Sequence, residues 1–462
     1  MATKTTTSNA LNNNDYNHNE GEDGVEFNTY TSDNQSVDQK EPTSLSNSSS
    51  YNQLDELPGK EYKKQCNILD DDYLPIINDT LDKKIAIIMT ILGTGYLFPF
   101  ESFLMSLDYF SYLYPEFKIY STFPFVYMGA IALTFIAFLR FPNFSSHPKR
   151  MIIGFSFYLC IMVLVPVINL TPIGGSFASY IITLILMIMT GVVDGFVQGT
   201  VYAIAGLFGP QYTQFTQIGV GLAGIIVAVT RIFSKLVFPQ SPQGMKYGSL
   251  LYFLISAFVI FIALLSFLYL LKLPVGKTIS AKKKKEPKSK DSSIPFKTVF
   301  KSNIQLGLIN GYIFLISMFL FPGIVLEIPA KVMRPDWFII LLLTTYNVFD
   351  FFGKTAPIYF HPNGKRIPPK ALLWVITLGR SIFVALFFLC VYTKAFESEA
   401  WPVIFLSIFG FTNGYVCSIT FAEGPRLVKR DYKELSGIFM TTCLVIGLTI
   451  GSTLNFIVTY VQ

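Results

Sequence analysis

Residues 250–271 read LLYFLISAFVIFIALLSFLYLL, an apolar run that contains no charged residue. A helix needs about 20 apolar residues to cross the roughly 30 Å hydrocarbon core of a bilayer, and this run is long enough to do so. The whole chain has the same character, since 51% of its 462 residues are hydrophobic and 14% are charged, whereas soluble domains carry about 25% charged residues. The composition excludes a soluble globular protein, a fibrous protein and a fully disordered chain, and it predicts an all-α polytopic membrane protein.

Apolar segments of similar length recur on both sides of this run. We predict eleven transmembrane helices, with the spans 84–107, 118–139, 150–170, 177–206, 214–238, 247–272, 302–325, 337–360, 370–393, 400–422 and 434–460. The loop after the sixth span contains Lys282-Lys283-Lys284-Lys285 and divides the spans into six and five. We therefore expect four regions: an acidic cytosolic tail (1–83), a first helical bundle (84–272), a basic cytosolic loop (273–301) and a second helical bundle (302–462).

Charge is distributed unevenly along the chain. Residues 1–83 contain 16 acidic and 6 basic side chains, against 14 acidic and 30 basic ones in residues 84–462. The tail is rich in polar residues and cannot bury enough surface to offset the entropy of ordering, so we predict that it is disordered. The cluster Lys282–Lys285 is either a solvated loop or a contact site for anionic lipids.

The basic residues also predict the orientation of the chain in the membrane. With the amino terminus in the cytosol, the cytosolic loops carry about 20 Lys and Arg residues and the outer loops about five, as the positive-inside rule requires. We therefore expect a cytosolic amino terminus and an outer carboxyl terminus. The plasma membrane is the expected location, with an organelle membrane as the alternative.

Charged side chains inside a span are costly, by at least about 2.5–3.5 kcal/mol each on insertion scales. The eighth span nevertheless contains Asn347, Asp350 and Lys354, whose spacing of three and four residues places them on one helical face. Asp350 and Lys354 are able to neutralise each other. The pair either lines a substrate pathway or holds the helices together as a structural ion pair.

A second polar stripe lies in the fourth span, where Asp194, Gln198 and Tyr202 are spaced four residues apart. An amide and a phenol suit a neutral solute that forms hydrogen bonds, while contacts between helices are the alternative role. In the first span, Gly93 to Glu101 contains Gly and Pro residues that predict a broken or kinked helix, often found near membrane sites. Glu101 belongs to such a site or lies near the outer interface.

Two cations stand alone in apolar spans, Arg231 in the fifth and Arg380 in the ninth. Each is expected either to face a carboxylate such as Asp350 or to extend to the membrane surface. Arg380 is the better candidate for a cavity because it lies close to the middle of its span.

Residues 219–224, GVGLAG, match the dinucleotide-binding fingerprint in letters only, because they lie in an apolar helix instead of a strand–helix unit. We interpret these glycines, like Gly447 and Gly451, as positions where helices approach closely. The three His residues lie outside the spans, and the five Cys residues have no disulfide or zinc spacing. We therefore expect no enzyme activity, metal or cofactor, and transport would depend on a solute or ion gradient.

Several motifs, taken in order, resemble the equilibrative nucleoside transporter family. They are Leu92–Gly95 leading to Pro99, Gln198-Gly199 with Ala205–Leu207, Gly219–Gly224, Met318–Pro322 with Glu327, Asn347–Lys354, Asn413–Tyr415, Gly424-Pro425, and Glu434 with Gly437. They cover most of residues 84–462 and leave the tail unmatched. The shared order, together with eleven spans split six and five, makes the resemblance specific.

The resemblance implies a major-facilitator-like fold in which a 6+5 arrangement of two helical bundles rocks around a central site. It implies nucleosides or nucleobases as substrates. Gln198 would contact the base, Asp350 and Lys354 would hold the ribose or base, and Arg380 would support Asp350. The further substrate-binding candidates are Phe100, Asn347 and Tyr202.

Two departures from the family pattern bear on mechanism. Lys354 stands where the family usually has Arg, so the planar bidentate fork is replaced by a point charge. Phe100-Glu101 replaces the usual Trp-Asn. The added carboxyls of Glu101 and Asp194 are candidates for proton coupling.

These observations lead to the hypothesis of a nucleoside transporter, facilitative or proton-coupled, that works by alternating access. A proton-linked carrier of another small polar solute is the first alternative. A membrane sensor or scramblase without transport activity is the second.

Overall fold

The computed structural model describes residues 82–140, 146–239, 241–276, 293–361, 367–393 and 395–461. Almost all of the predicted acidic tail and the cluster Lys282–Lys285 lie outside the described residues. All regular secondary structure in the described ranges is helical, which confirms the predicted all-α class for this part of the chain.

The described residues contain thirteen α-helices. They are α1 (Lys83–Met105), α2 (Leu107–Leu113), α3 (Ile119–Arg140), α4 (His147–Leu170), α5 (Phe177–Phe208), α6 (Pro210–Val237), α7 (Pro242–Lys272), α8 (Ser293–Phe319), α9 (Pro335–Phe360), α10 (Lys370–Gly379), α11 (Ile382–Tyr392), α12 (Ala400–Glu423) and α13 (Lys433–Val461). A π-helical turn, Leu320–Ile324, continues α8.

Ten segments of the described residues are long and apolar enough to cross a membrane, with α10 and α11 forming one of them. Helix α9 is a further long helix of 26 residues, and it contains the charged residues Asp350 and Lys354. The eleven predicted spans correspond to these ten segments and α9. The largest difference is at the start of α8, which begins at Ser293 instead of residue 302; α7 begins at Pro242 instead of residue 247.

The helix pairs that pack together among the first six spans recur among the last five. Helix α1 packs against α6, and α3 packs against α5. The equivalent pairs later in the chain are α8 with α13 and α9 with α12. We call α1–α7 the first half and α8–α13 the second half; the two halves meet where α6 contacts α9 and where α13 contacts α3 and α5.

Glycines make the closest of these helix crossings possible. A Cβ atom on Gly219 would lie 2.9 Å from the backbone nitrogen of Thr94 in α1, and one on Gly224 would lie 2.7 Å from Cγ of Asn347 in α9. Gly447 and Gly451 of α13 lie in the same way against α8. The interpretation of these glycines as close-packing positions is confirmed.

Candidate functional site

The ion pair expected from the sequence forms on α9. Nζ of Lys354 donates a hydrogen bond to Oδ2 of Asp350, and both side chains are buried. The other carboxylate oxygen of Asp350 accepts a hydrogen bond of 2.8 Å from Nδ2 of Asn413, on α12. Asp350 is therefore tied to its own helix and to a neighbouring helix of the second half.

Arg380 reaches this pair through two other side chains. It lies at the break between α10 and α11, is 1% exposed, and donates to Ser317 on α8 at 2.6 Å. Ser317 in turn donates to Oδ1 of Asn413 at 2.8 Å, and Asn413 holds Asp350. The support for Asp350 that the resemblance implies is thus a relay through Ser317 and Asn413.

Glu101 links the first half to the second. Its Oε2 atom accepts a hydrogen bond of 3.1 Å from Nδ2 of Asn347, and it interacts electrostatically with Lys354 and Asp350. The side chain is buried, so the structure places Glu101 inside the bundle and not at an exposed interface. Nδ2 of Asn347 also lies 3.4 Å from the Gly224 carbonyl oxygen, which fixes α9 against α6.

Asp194 occupies a separate position within the first half. Its two carboxylate oxygens accept hydrogen bonds from the hydroxyls of Tyr127 on α3, at 2.8 Å, and Tyr158 on α4, at 2.9 Å. The ring of Phe100 stacks on Tyr127 with a centroid distance of 4.4 Å. Asp194 and Phe100 thus form contacts that fasten α1, α3, α4 and α5 together.

Tyr202 faces the second half, and Gln198 lies one turn before it on the same face of α5. The Tyr202 hydroxyl lies 3.1 Å from the Tyr96 hydroxyl, and its ring packs on Phe421 of α12 at 4.5 Å. The Gln198 side chain lies close to the Tyr96 hydroxyl. Its Oε1 atom is buried and has no hydrogen-bond partner among the described residues.

Cys417 on α12 joins the second half to α6. Its Sγ atom donates a weak hydrogen bond of 3.6 Å to Oε1 of Gln217. We call the buried polar groups along this boundary the polar seam: Tyr96, Glu101, Gln198, Tyr202 and Gln217 from the first half, and Asn347, Asp350, Lys354, Asn413 and Cys417 from the second. Most of the site residues predicted from the sequence therefore belong to the polar seam. Asp194 and Phe100 contact residues of the first half, and Arg380 is connected to the seam through Ser317.

A second charged cluster was not expected from the sequence. Arg231 donates to Asp108 at 2.7 Å, so it is not a lone cation, and Lys235 contacts both Asp108 at 3.1 Å and Asp336 at 2.9 Å. These side chains border a cavity of about 260 Å³ at the end of the bundle where α1 ends and α9 begins. The only sequence signal is the i, i+4 spacing of Arg231 and Lys235, because Asp108 lies outside the predicted spans.

Contacts between the halves close both ends of the polar seam. At the end that holds Asp108, the Lys235–Asp336 ion pair joins α6 to α9, and the rings of Phe125 and Phe456 stack at 4.3 Å. At the opposite end, His147 and Glu434 approach to 3.0 Å. Contacts between the two halves are therefore present at both ends of the seam.

Two helical halves that enclose buried amide and charged groups are the architecture of a secondary membrane transporter, with a fold similar to the major facilitator type. Two solved structures of the xylose transporter XylE share this fold. One is described as a proton:xylose symporter (TM-score 0.51, 11% identity, 80% of this chain and 87% of that one). The other is XylE from E. coli in a partially occluded inward-open conformation (TM-score 0.50, 12% identity, 82% of this chain and 97% of that one).

Sequence comparison defines the group more narrowly. Residues 183–286 and 274–460 match the model of the family described as Nucleoside transporter. Equilibrative nucleotide transporter 1 of Arabidopsis thaliana is 29% identical over 384 residues, which cover 80% of this chain and 84% of the relative. Equilibrative nucleoside transporter 1 of Homo sapiens is 26% identical over 321 residues, with 60% and 68% covered. The chain belongs to the nucleoside transporter family, and it is a multi-pass membrane transporter and not an enzyme.

Proposed function

We propose that this protein moves nucleosides, or nucleobases, across a membrane by alternating access to the polar seam. The observation that carries the proposal is the side-chain carbonyl oxygen of Gln198, which is buried and has no hydrogen-bond partner among the residues that the structure describes. An unsatisfied buried polar atom costs about 1–3 kcal/mol. An N–H group of a nucleobase bound in the seam would remove that cost.

The ion pair suits the sugar of such a substrate. Asp350 presents carboxylate oxygens to hydroxyl donors, and Lys354 presents an ammonium group to oxygen acceptors. Because Lys354 has a flexible stem and a single charged group, it is able to shift from Asp350 towards a substrate oxygen. In this proposal Asn413 and the Ser317–Arg380 relay hold Asp350 in place while the cation moves.

Transport then requires the two ends of the seam to open in turn. A bound nucleoside bridges groups from both halves, Gln198 on α5 and Asp350 on α9, and so lowers the cost of passing through the closed state. The contacts at Lys235–Asp336 and at His147–Glu434 would break alternately. A substrate shifts such an equilibrium only by its differential affinity for the states.

The proposal is tested by uptake of radiolabelled uridine and adenosine in cells that express Asp350→Asn. We expect uptake to fall at least tenfold, because a hydrogen bond to a charged group contributes about 1.5–3 kcal/mol. The single variant leaves Lys354 buried without its counter-ion, which destabilises a protein by about 3–5 kcal/mol. Surface expression must therefore be measured alongside uptake.

A double variant separates stability from transport. Asp350→Asn with Lys354→Met removes both charges, so it should recover surface expression and still fail to transport. Asp431→Asn, at an exposed position away from the polar seam, is the matched control and should keep uptake. Normal uptake by Asp350→Asn would refute the proposed site, and the absence of saturable flux by the purified wild-type protein in proteoliposomes would favour a sensor or scramblase.

Proton coupling is a second part of the proposal, and Glu101 is its observational basis. This buried carboxyl accepts a hydrogen bond from Asn347 across the boundary of the halves and has no ion-pair partner among the described residues. A proton taken up there would change the charge beside Asp350 and Lys354. Asp194 is the weaker candidate, because Tyr127 and Tyr158 already occupy both of its oxygens.

The location and orientation complete the proposal. The distribution of Lys and Arg supports a cytosolic amino terminus and an outer carboxyl terminus, and we place the protein in the plasma membrane, with anionic lipid near Lys282–Lys285. Epitope tags at the two termini test the orientation. In intact cells, antibody should reach only the carboxyl-terminal tag, and detection of only the amino-terminal tag would reverse the assignment.

A further inference from the structure

Gln217, on α6, has a hydrogen-bond donor that the protein does not use. The side chain is 1% exposed. Its Oε1 atom accepts a weak hydrogen bond of 3.6 Å from Sγ of Cys417 on α12. Its Nε2 atom is buried and has no partner among the described residues.

Gln214, one turn earlier on the same helix, shows what a structural amide does in this environment. Its Nε2 atom donates to the backbone carbonyl oxygen of Lys354 at 2.7 Å and so ties α6 to α9. Residues three apart share a helical face, so Gln214 and Gln217 both face the second half. Only Gln217 keeps a free N–H group there.

The surroundings of Gln217 match a flat aromatic group. Cys417 and Phe421 lie one turn apart on α12, and Phe421 packs on the ring of Tyr202 at 4.5 Å. The hydroxyl of Tyr202 contacts the hydroxyl of Tyr96, and Tyr96 in turn lies close to the Gln198 side chain. The free Gln217 donor on α6 is therefore linked to the free Gln198 acceptor on α5 by a series of contacts through a thiol and three aromatic rings.

We infer that Gln217 is a substrate-contacting residue that donates its free N–H group to an acceptor atom of the nucleobase. This inference rests on the proposed function and adds a residue to its site. The base lies on the side of Cys417 and Phe421, because a ring with polar edges fits among aromatic side chains, while the sugar hydroxyls lie towards the charged pair Asp350 and Lys354. In this arrangement Gln217 donates a hydrogen bond to an acceptor atom of the base. Gln198 accepts a hydrogen bond from a donor group of the base.

A structural role for Gln217 predicts a different result from a role in binding. Replacing Gln217 by Met, which is similar in size, removes an unsatisfied buried donor. The melting temperature of the purified, ligand-free protein should therefore stay the same or rise. Gln214→Met is the matched control, and it should melt at a lower temperature because the bond to Lys354 is lost.

The decisive experiment measures binding of two probes to the purified full-length wild-type and Gln217→Met proteins, by competition with radiolabelled uridine. The probes are uridine and a phenyl C-riboside, which keeps the sugar and a flat ring but has no acceptor on the ring. We expect uridine to bind Gln217→Met about tenfold more weakly, the size of one lost hydrogen bond. The phenyl riboside should bind both proteins equally.

Each other outcome has a defined meaning. If Gln217→Met binds uridine as well as the wild type does, or loses both probes to the same extent, the base contact is refuted and the proposed function stands. Failure of Gln217→Met to fold, or a melting temperature as low as that of Gln214→Met, assigns the residue a structural role and refutes the contact. If the wild-type protein binds no nucleoside at all, the proposed function fails, and the base contact fails with it.

Discussion

Asp350 uses both carboxylate oxygens inside the protein, one for Lys354 and one for Asn413. A carboxylate held from two sides keeps its position when one partner leaves. Lys354 is the partner able to leave, because it is a single point charge on a flexible stem, whereas an Arg would form a rigid fork. At the residue scale the site is therefore a fixed acceptor beside a movable cation.

Glu101 provides a test of proton coupling at the same scale. Uptake by the wild-type protein should increase when the outer pH is lowered and should fall when an uncoupler is added. Glu101→Gln keeps the shape of the side chain but cannot exchange a proton, so its uptake should be independent of pH. Asp194→Asn is the control and should keep the pH dependence, because Asp194 is bonded to two tyrosines within the first half. A pH-dependent Glu101→Gln would rule out this role.

The local part of this chemistry is predictable from the sequence, and the distant part is not. The spacing of Asp350 and Lys354 fixes their pairing, because residues four apart meet on one helix. The Glu101–Asn347 contact joins residues 246 positions apart, and no periodicity indicates it. Arg231 does face a carboxylate, one of its two expected roles, but the sequence does not identify the partner, because Asp108 lies 123 positions away in a short helix between two spans.

At the scale of the elements, glycines determine how closely the helices approach. Gly219 lies against the backbone of α1, whereas Gly221 and Gly224 lie against α9, so α6 is packed closely on two sides. The sequence predicts this role because a Gly-rich pattern within an apolar helix has no phosphate to bind. Which helices are brought together depends on the fold, and the pattern alone does not specify it.

Gly219→Ala tests this packing. The added methyl group would lie 2.9 Å from the Thr94 backbone nitrogen, and since backbone cannot easily move aside, we expect a loss of about 1–3 kcal/mol in stability. The measurement is the melting temperature of the purified protein. Gly129→Ala in α3 is the control, because a methyl group there meets no atom within 4 Å. Equal melting temperatures for the two variants would contradict the packing account.

At the scale of the whole molecule, Lys235 connects the two halves at one end of the seam. It bridges Asp108 of the first half and Asp336 of the second. Its side chain is only 5% exposed, so this contact is less screened than a surface ion pair. Opening of this end requires Lys235 to release Asp336.

Lys235→Met should therefore favour states that are open at the Asp108 end. The separation of the halves is measured by double electron–electron resonance. The two spin labels are attached at the exposed positions 112 and 332 in a background without native cysteines. We expect the variant to populate longer distances than the wild type. Arg334→Met is the control, since Arg334 is 63% exposed and contacts the same Asp336 at 3.2 Å. An unchanged distance distribution in Lys235→Met would mean that the ion pair does not hold this end closed.

The position of a bound nucleoside tests the central claim most directly. We would determine the structure of the full-length protein with 5-iodouridine and locate the iodine atom by anomalous scattering. The account predicts one iodine position in the polar seam, between Gln198 of α5 and the Asp350–Lys354 pair of α9. Iodine found only in the cavity beside Arg231 and Lys235, or only on the lipid-facing surface, would contradict it.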